Sequence, residues 1–414
     1  MSRPLPLTLY GAATALLEPL APAVLRGRAR RGKEDPARLG ERLGRAGAQR
    51  PRGSLVWLHG VSVGETTSLL PLVAALQARR PDLTLLVTSG TVTAAELLRK
   101  RLPPGVIHQY APVDAPGAVR RFLDHWNPSL AMFVESELWP NLILAAQARG
   151  VRLALLSARM TEASAARWAR WPRSAKALIG AFELILPQDS ATGERVRRLG
   201  GTPGPMLNLK LIGQPLPADD AELGRMRAAI AGRKVVLAAS THPGEEAPIA
   251  QAVRRAAPEV LLVIAPRHPE RGADLADALH AGRRSAGDPV DGPVYVADTL
   301  GELGLFFRLA DVVVMGGSFR PGIGGHNPLE PARFGRPILT GPDTSNAADA
   351  YGGLFADAAA IEAADGEALA RHVCGLLDHP AIARRMGDAA LAYAQRQGAT
   401  LGEAVAGLEP LLPA

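Results

Sequence analysis

One carboxylate stands on a glycine loop in the run Trp57-Leu-His-Gly-Val-Ser-Val-Gly-Glu65, immediately before an apolar-periodic segment. Residues 55–58 read as a strand, Gly60 and Gly64 let the backbone turn tightly, and Glu65-Thr-Thr-Ser opens a helix running through Leu69, Leu70 and Leu76. A carboxylate in that position is either a base or a helix cap. Two more, Glu135 and Glu137, follow an apolar run over residues 130–134, and Ser157 and Arg159 follow another over 151–156. Pro266 and Arg267 come directly after residues 260–264, and the planar guanidinium there is placed to meet a phosphate bidentately. Further on, Gly316-Gly-Ser-Phe-Arg-Pro-Gly-Ile-Gly-Gly-His-Asn327-Pro-Leu-Glu330 leads into a helix with Asn327 at N-cap, Pro328 at N1 and Glu330 at N3. By itself that is an ordinary capping box. The number of glycines favours a loop whose bare N–H groups and positive helix end receive a phosphate, leaving Glu330 to accept ribose hydroxyls.

These residues need elements to position them, and the chain supplies an α/β alternation. Strands are expected at 55–58, 83–89, 130–134, 151–156 and 184–187, with helices between them at 93–101, 140–149 and 190–199. A Gly- and Pro-rich stretch over 200–217 interrupts the pattern, and the hinge is expected near 213–220. Strands then resume at 235–240, 260–264, 294–296, 312–315 and 337–339. Such alternation implies parallel sheets covered on both faces, which bind ligands at the carboxyl ends of their strands. Glu65, Glu135, Glu137, Ser157 and Arg159 all fall at such ends. The architecture expected is two doubly wound units facing a central cleft. At 414 residues the chain is too long for one ordinary core, which agrees.

Charge is distributed unevenly. Residues 1–52 carry eleven Lys and Arg against four acids, an excess equal to the whole net charge of +7, while the remaining 362 residues balance at 36 of each sign. The body of the protein therefore gives no sign of a nucleic-acid groove, and no nucleic-acid partner is expected. The N-terminus instead points to an anionic surface. Residues 4–25 are uncharged except for Glu18, and the cluster Arg26-Gly-Arg28-Ala-Arg30-Arg31-Gly-Lys33 follows at once. Apolar then basic is an anchoring order that favours retention on the cytoplasmic side. The stretch is long enough to span a bilayer, but Glu18, Pro19 and Pro22 interrupt it, so a helix seated in the interface is an equal alternative. The single Cys374 excludes a disulfide framework, and with no Asp-x-Asp and nine scattered histidines no metal or other cofactor is expected.

Taken together, HGVSVGE at 59–65, Glu135-Ser-Glu-Leu-Trp-Pro140, Asn208-Leu-Lys210, Ala265-Pro-Arg-His-Pro269 and Gly324-Gly-His-Asn-Pro-Leu-Glu330 resemble the signature blocks of the 3-deoxy-D-manno-octulosonic acid (Kdo) transferases. Arg31-Gly-Lys-Glu-Asp-Pro-Ala-Arg-Leu-Gly40 resembles a further block, and all come in the family's order. The resemblance implies a GT-B glycosyltransferase of two Rossmann-like domains, on the cytoplasmic side of the cell inner membrane, that moves Kdo from CMP-Kdo onto the lipid A precursor. It implies a membrane anchor over 1–33, an acceptor-binding domain over 34–215 and a CMP-sugar-binding domain over 216–414. Glu65 would be the general base, with Glu135 and Lys210 stabilising the transition state. Pro266, Arg267, Leu300, Gly301, Glu302, Asn327, Pro328, Leu329 and Glu330 would hold CMP. Arg159 and the stretch Trp168-Ala-Arg170-Trp171-Pro172 would meet acceptor phosphates or the lipid surface, or else form a tryptophan pair packed beneath a helix. Two rivals share these features: another GT-B enzyme that uses or epimerises a UDP-sugar, and a membrane-surface binding protein without catalysis.

Overall fold

A computed structural model of the chain describes residues 3–212 and 215–413. The expected hinge at 213–220 thus lies partly outside the described residues. The chain divides into two compact units, residues 1–213 with 399–414 and residues 214–398.

The first unit is built on six parallel strands: β1 (Leu55–His59), β2 (Thr84–Ser89), β3 (Ile107–Tyr110), β4 (Leu130–Val134), β5 (Arg152–Ala158) and β6 (Leu184–Pro187). Their order is β3-β2-β1-β4-β5-β6, with Trp57 of β1 in register with Leu86 on one side and Ala131 on the other. Helices cover both faces, so β1 and β4 are buried at every residue rather than alternately. Leu55 and Trp57 face one core, where the Trp57 ring lies 4.8 Å from Phe122 and 5.2 Å from Phe133. Val56 and Leu58 face the other, with Leu69, Leu72 and Met132. That second core also holds Val405, Leu408 and Leu411. Residues 399–414, assigned by sequence to the second domain, therefore pack in the first unit, and Arg79 pairs with Glu409 at 2.7 Å.

The N-terminal segment is docked on this unit through Leu7, which enters the first core, the buried Leu25 and several polar side chains. Helices Leu5–Leu17 and Ala21–Ala29 are joined by the turn Glu18–Leu20. Tyr10 donates its hydroxyl to Asp114 at 2.9 Å, Arg3 donates to Asn141 at 2.9 Å, and Asn141 donates to Thr14 at 2.9 Å. Glu18, which by sequence only interrupts an apolar stretch, accepts the Gly117 N–H at 2.7 Å and Arg121 at 2.9 Å. It thereby supplies an anion to the N-terminal turn of helix Pro116–Trp126. Gly117 is needed for that approach, since a Cβ there would fall 2.4 Å from the Glu18 carboxylate. The apolar residues Leu5, Leu9, Leu16, Leu17, Leu20 and Val24 are left exposed.

The second unit has seven parallel strands: β7 (Val235–Thr241), β8 (Leu261–Pro266), β9 (Gly282–Arg283), β10 (Val294–Val296), β11 (Val312–Met315), β12 (Ile338–Thr340) and β13 (Ala360–Glu362). Their order is β13-β12-β11-β7-β8-β10-β9. In each unit the first strand lies between the second and a later one, so the chain winds outward in both directions and leaves a crevice at the carboxyl ends, at β1/β4 and at β7/β11. The two sheets share a local device as well. Pairing slips by one residue after Leu156 in β5 and after Ala239 in β7, and the extra residue is a serine with positive φ, Ser157 at 50° and Ser240 at 58°.

Removing the Glu18 carboxylate tests the docking. Glu18→Ala is expected to lose about 1–2 kcal/mol of it, read as roughly tenfold faster amide exchange over residues 5–17 with the sheet unchanged.

Candidate active site

In the first unit the carboxylates meet where the strand order reverses. Ser62 caps helix Val63–Arg79 by accepting the Glu65 N–H at 3.3 Å. Glu65 reaches back, accepting the Ser62 hydroxyl at 2.8 Å and the Val61 N–H at 2.6 Å. The reciprocal cap is thus made, and the Glu65 carboxylate, half-buried, is held in one orientation by two donors.

Glu135 is the first residue past β4 and has φ 60°, a left-handed conformation that costs a non-glycine residue about 1 kcal/mol or more. Neighbouring β5 enforces it: the Glu135 N–H donates to Leu156 at 3.2 Å, and its carbonyl accepts the Arg159 N–H at 3.3 Å. The side chain, nearly buried, meets Lys210 Nζ at 2.6 Å. Lys210 is carried on the turn Leu209–Leu211, anchored by the buried Leu209, whose N–H donates to the Ser157 hydroxyl at 3.3 Å. The slipped serine of β5 therefore positions the lysine that pairs with the strained glutamate.

Glu137 completes the cluster. Trp139 donates its indole N–H to Glu137 Oε2, which also lies 3.9 Å from His59 Nε2. Burial, reinforced by the Glu65 and Glu135 charges, pushes the Glu137 carboxyl up to about 7. His59 is fully buried, and burial pushes it down to about 3, so it stays neutral. Its Nδ1 lies 2.8 Å from the Thr88 hydroxyl, which also accepts the Trp57 N–H at 2.8 Å. Sequence placed Glu137 at a strand end without separating it from its neighbours, because its raised pKa depends on charges that only the fold brings together. Arg159 is exposed beside this edge.

In the second unit Pro266 ends β8 and is buried, while Arg267 is exposed, its N–H held by Thr241 at 2.9 Å. The Arg267 guanidinium makes no hydrogen bond or ion pair among the described residues, and it contributes to the electrostatics of Glu330, His242 and His326. The glycine loop differs from expectation. Its N–H groups are not bare, because the buried Glu245 accepts from Gly317 at 2.8 Å, Phe319 at 3.0 Å and His242 at 2.8 Å. Asp343 accepts from Gly322 at 2.7 Å and Gly324 at 3.1 Å. Two of the protein's own carboxylates fill the places expected for a phosphate. Gly316 lets the ends of β7 and β11 approach, since a Cβ there would lie 2.6 Å from Thr241 Cα. The helix beyond, Leu329–Ala332, is a single turn, with Pro328 preceding it and Asn327 accepting the Leu329 N–H at 3.0 Å, so its dipole is small. Burial raises the Glu330 carboxyl.

Glu302 is likewise occupied: Arg284 grips it at 3.0 and 2.6 Å and, helped by the Thr299 hydroxyl, holds its pKa low. Leu300 is exposed and Gly301 turns at φ 86°. The segment 300–302 follows β10, the neighbour of β8, so it lies on the same carboxyl edge as Arg267. Sequence reasoning passed over a histidine pair at the β7/β11 reversal. The His242 and His326 rings stack at 5.1 Å and 7°, with their Nε2 atoms 2.8 Å apart and His268 edge-on to His242 at 5.9 Å. Burial lowers both, His326 to about 4, so the pair is neutral and shares one hydrogen bond. His242-Pro-Gly-Glu245 after an apolar strand was the available signal.

Comparison with known proteins agrees with the blocks noted in the sequence. Residues 37–212 match the family described as 3-Deoxy-D-manno-octulosonic-acid transferase (kdotransferase). The chain is 38% identical to the 3-deoxy-D-manno-octulosonic acid transferase of Bordetella pertussis over 87% of its own length and 88% of that protein's. It is 37% identical to the probable mitochondrial 3-deoxy-D-manno-octulosonic acid transferase of Arabidopsis thaliana, over 80% of this chain and 79% of that one. In fold it is similar to a glycosyltransferase from Rickettsia africae, with a TM-score of 0.63 at 9% identity, covering 87% of this chain and 99% of that chain.

The Glu137 carboxyl gives a prediction with a definite sign. Between its ordinary value of 4.5 and about 7 the folded state keeps a proton that the unfolded chain releases, so this group lowers stability as pH rises through that window. Glu137→Gln removes the loss and is expected to exceed the wild type by about 1–3 kcal/mol near pH 8 and to match it near pH 4. Urea midpoints at the two pH values measure the difference.

Proposed function

The chain belongs to the 3-deoxy-D-manno-octulosonic acid transferase family, and from that premise we propose that it is an inverting enzyme transferring Kdo from CMP-Kdo to the lipid A precursor, with Glu65 as general base. The observation carrying this reading is the carboxylate cluster at the β1/β4 reversal. An inverting transfer needs one base on the face opposite the leaving group. The acceptor O–H bond breaks as its oxygen attacks the anomeric carbon, the proton passes to Glu65, and the bond from that carbon to the CMP phosphate oxygen breaks. The capping donors Ser62 and Val61 hold Glu65 in one rotamer for that task. Glu135 and Lys210 set the charge beside it, the lysine offsetting negative charge that builds up in the transition state.

The second unit takes the donor. The departing CMP carries its own phosphate charge, so it needs a cation more than a proton, and the unpaired Arg267 supplies one. Pro266 and Arg267, the turn Leu300-Gly301-Glu302 and the segment Asn327-Pro328-Leu329-Glu330 form the CMP site in this reading. Because Glu245 and Asp343 occupy the loop amides, this reading gives the phosphate to Arg267 rather than to the glycines.

The N-terminal helices seat the protein on the cytoplasmic side of the inner membrane. By length and composition residues 5–29 are able to cross a bilayer. A spanning segment would abandon the contacts of Arg3, Tyr10 and Glu18, whereas an interfacial helix keeps them and buries its exposed leucines in lipid. The basic residues that follow add attraction to anionic lipid.

Incubation with CMP-Kdo and lipid A precursor, with products resolved by mass, tests the reaction and counts the sugars added. CMP is expected to bind at least about tenfold tighter than UDP, and Arg267→Ala to weaken CMP roughly 10- to 100-fold. Tighter binding of UDP would favour the UDP-sugar reading instead.

A further inference from the structure

A groove of about 1050 Å³ on the first unit lies outside the site described above. Its floor is apolar, formed by Val119 of helix Pro116–Trp126 and by Leu144, Ala145 and Ala148 of helix Pro140–Ala148. Its rim is cationic and none of its lining residues is acidic. Two of the rim cations are already engaged, Arg3 with Asn141 and Arg149 with Asp124. Arg120, Arg173 and Lys176 are exposed and make no hydrogen bond or ion pair among the described residues.

Helix dipoles do not account for this set. Lys176 is in the last turn of helix Pro172–Ile179, where a cation is favourable, but Arg173 is in the first turn of the same helix, where it is not. Two features tie the groove to a lipid surface. Arg3 and Pro4 form one end of it, and the exposed Leu5 and Leu9 follow directly on the N-terminal helix. Trp171, two residues before the lining residue Arg173, is 57% exposed, while Trp168 packs against the core. A tryptophan in that setting suits the headgroup level of a bilayer.

We propose that this groove binds one anionic glycerophospholipid, its phosphate on Arg120, Arg173 and Lys176 and an acyl chain along Val119, Leu144 and Ala148. The proposal rests on the membrane seating of the N-terminal helices and adds a defined lipid site to it. Charge complementarity selects the ligand: three unpaired cations over an apolar floor match a phosphodiester with a hydrocarbon tail better than a free sugar phosphate, which would leave the floor unused.

Flotation of the full-length protein with phosphatidylcholine vesicles, with and without phosphatidylglycerol, tests the proposal. The wild type is expected to float better with phosphatidylglycerol, and inorganic phosphate is not expected to displace it. The triple variant Arg120→Gln, Arg173→Gln, Lys176→Gln should lose roughly 100-fold of that preference at about fivefold per cation, keeping only the part that the basic residues 26–33 supply, with an unchanged urea midpoint as the measure of folding. A second variant, Leu9→Ser with Leu16→Ser, should weaken binding to both kinds of vesicle. If the triple variant floats like the wild type while the leucine variant does not, the groove is excluded and the membrane seating stands. If the wild type floats with neither vesicle, the membrane seating itself fails. Displacement by inorganic phosphate would reduce the groove to a simple anion site and overturn the lipid assignment.

Discussion

Three carboxylates gathered at the ends of two neighbouring strands cannot all ionise at equal cost, and the arrangement of the first unit follows from how each is compensated. Glu65 is solvated by the Ser62 hydroxyl and the Val61 N–H, Glu135 is neutralised by Lys210, and Glu137, left with one indole N–H and a neutral His59, is the one driven toward its acid form. Each compensation draws on a different element: a helix cap, a turn anchored on the slipped serine of β5, and a buried ring of β1. The division leaves Glu65 held in one orientation by two donors, beside a Glu137 carboxyl that burial and its neighbours push up to about 7.

The second unit solves the opposite problem. Its glycine loop makes a concavity of N–H groups that favours an anion, and Glu245 and Asp343 occupy it from within. The loop is thereby held by the chain's own side chains, and the unpaired positive charge lies at Arg267, directly after β8. Glu245 also holds the His242 backbone, so the carboxylate that stiffens the loop sets the His242–His326 stack as well.

Much of this was legible in the sequence where a local pattern sufficed. The apolar runs of β1, β4, β8 and β11 declared themselves, as did the capping duty open to Glu65, because strand burial and capping are short-range; the capping box expected at Asn327 is not formed, since the helix there starts after Pro328 without a side-chain cap from that residue. The strand Ile107-His-Gln-Tyr110 was missed: half its residues are polar, and it is recognisable only through its pairing with β2. The return of residues 399–414 to the first unit was hidden because helix Pro380–Leu408 continues through Gly398 and Gly402, and the apolar partners of Val405, Leu408 and Leu411 lie hundreds of residues earlier. Glu18 looked like a flaw in an apolar segment, and its partners Gly117 and Arg121 lie about a hundred residues away. The occupied loop amides were invisible for the same reason, since Glu245 and Asp343 come from outside the motif. What escaped the sequence was in each case a contact between residues far apart in the chain, whether strand pairing, apolar packing or a charge meeting its partner.

With Glu65 as the proposed proton acceptor and the nucleotide held by the second unit, transfer and donor binding should separate. Single-turnover transfer by Glu65→Ala saturated with CMP-Kdo, with and without added formate, measures this most directly. Transfer is predicted to fall by about 10²- to 10⁴-fold and to recover in part as formate replaces the missing carboxylate, with CMP affinity unchanged. A variant that transfers at close to the wild-type rate without formate would contradict the account.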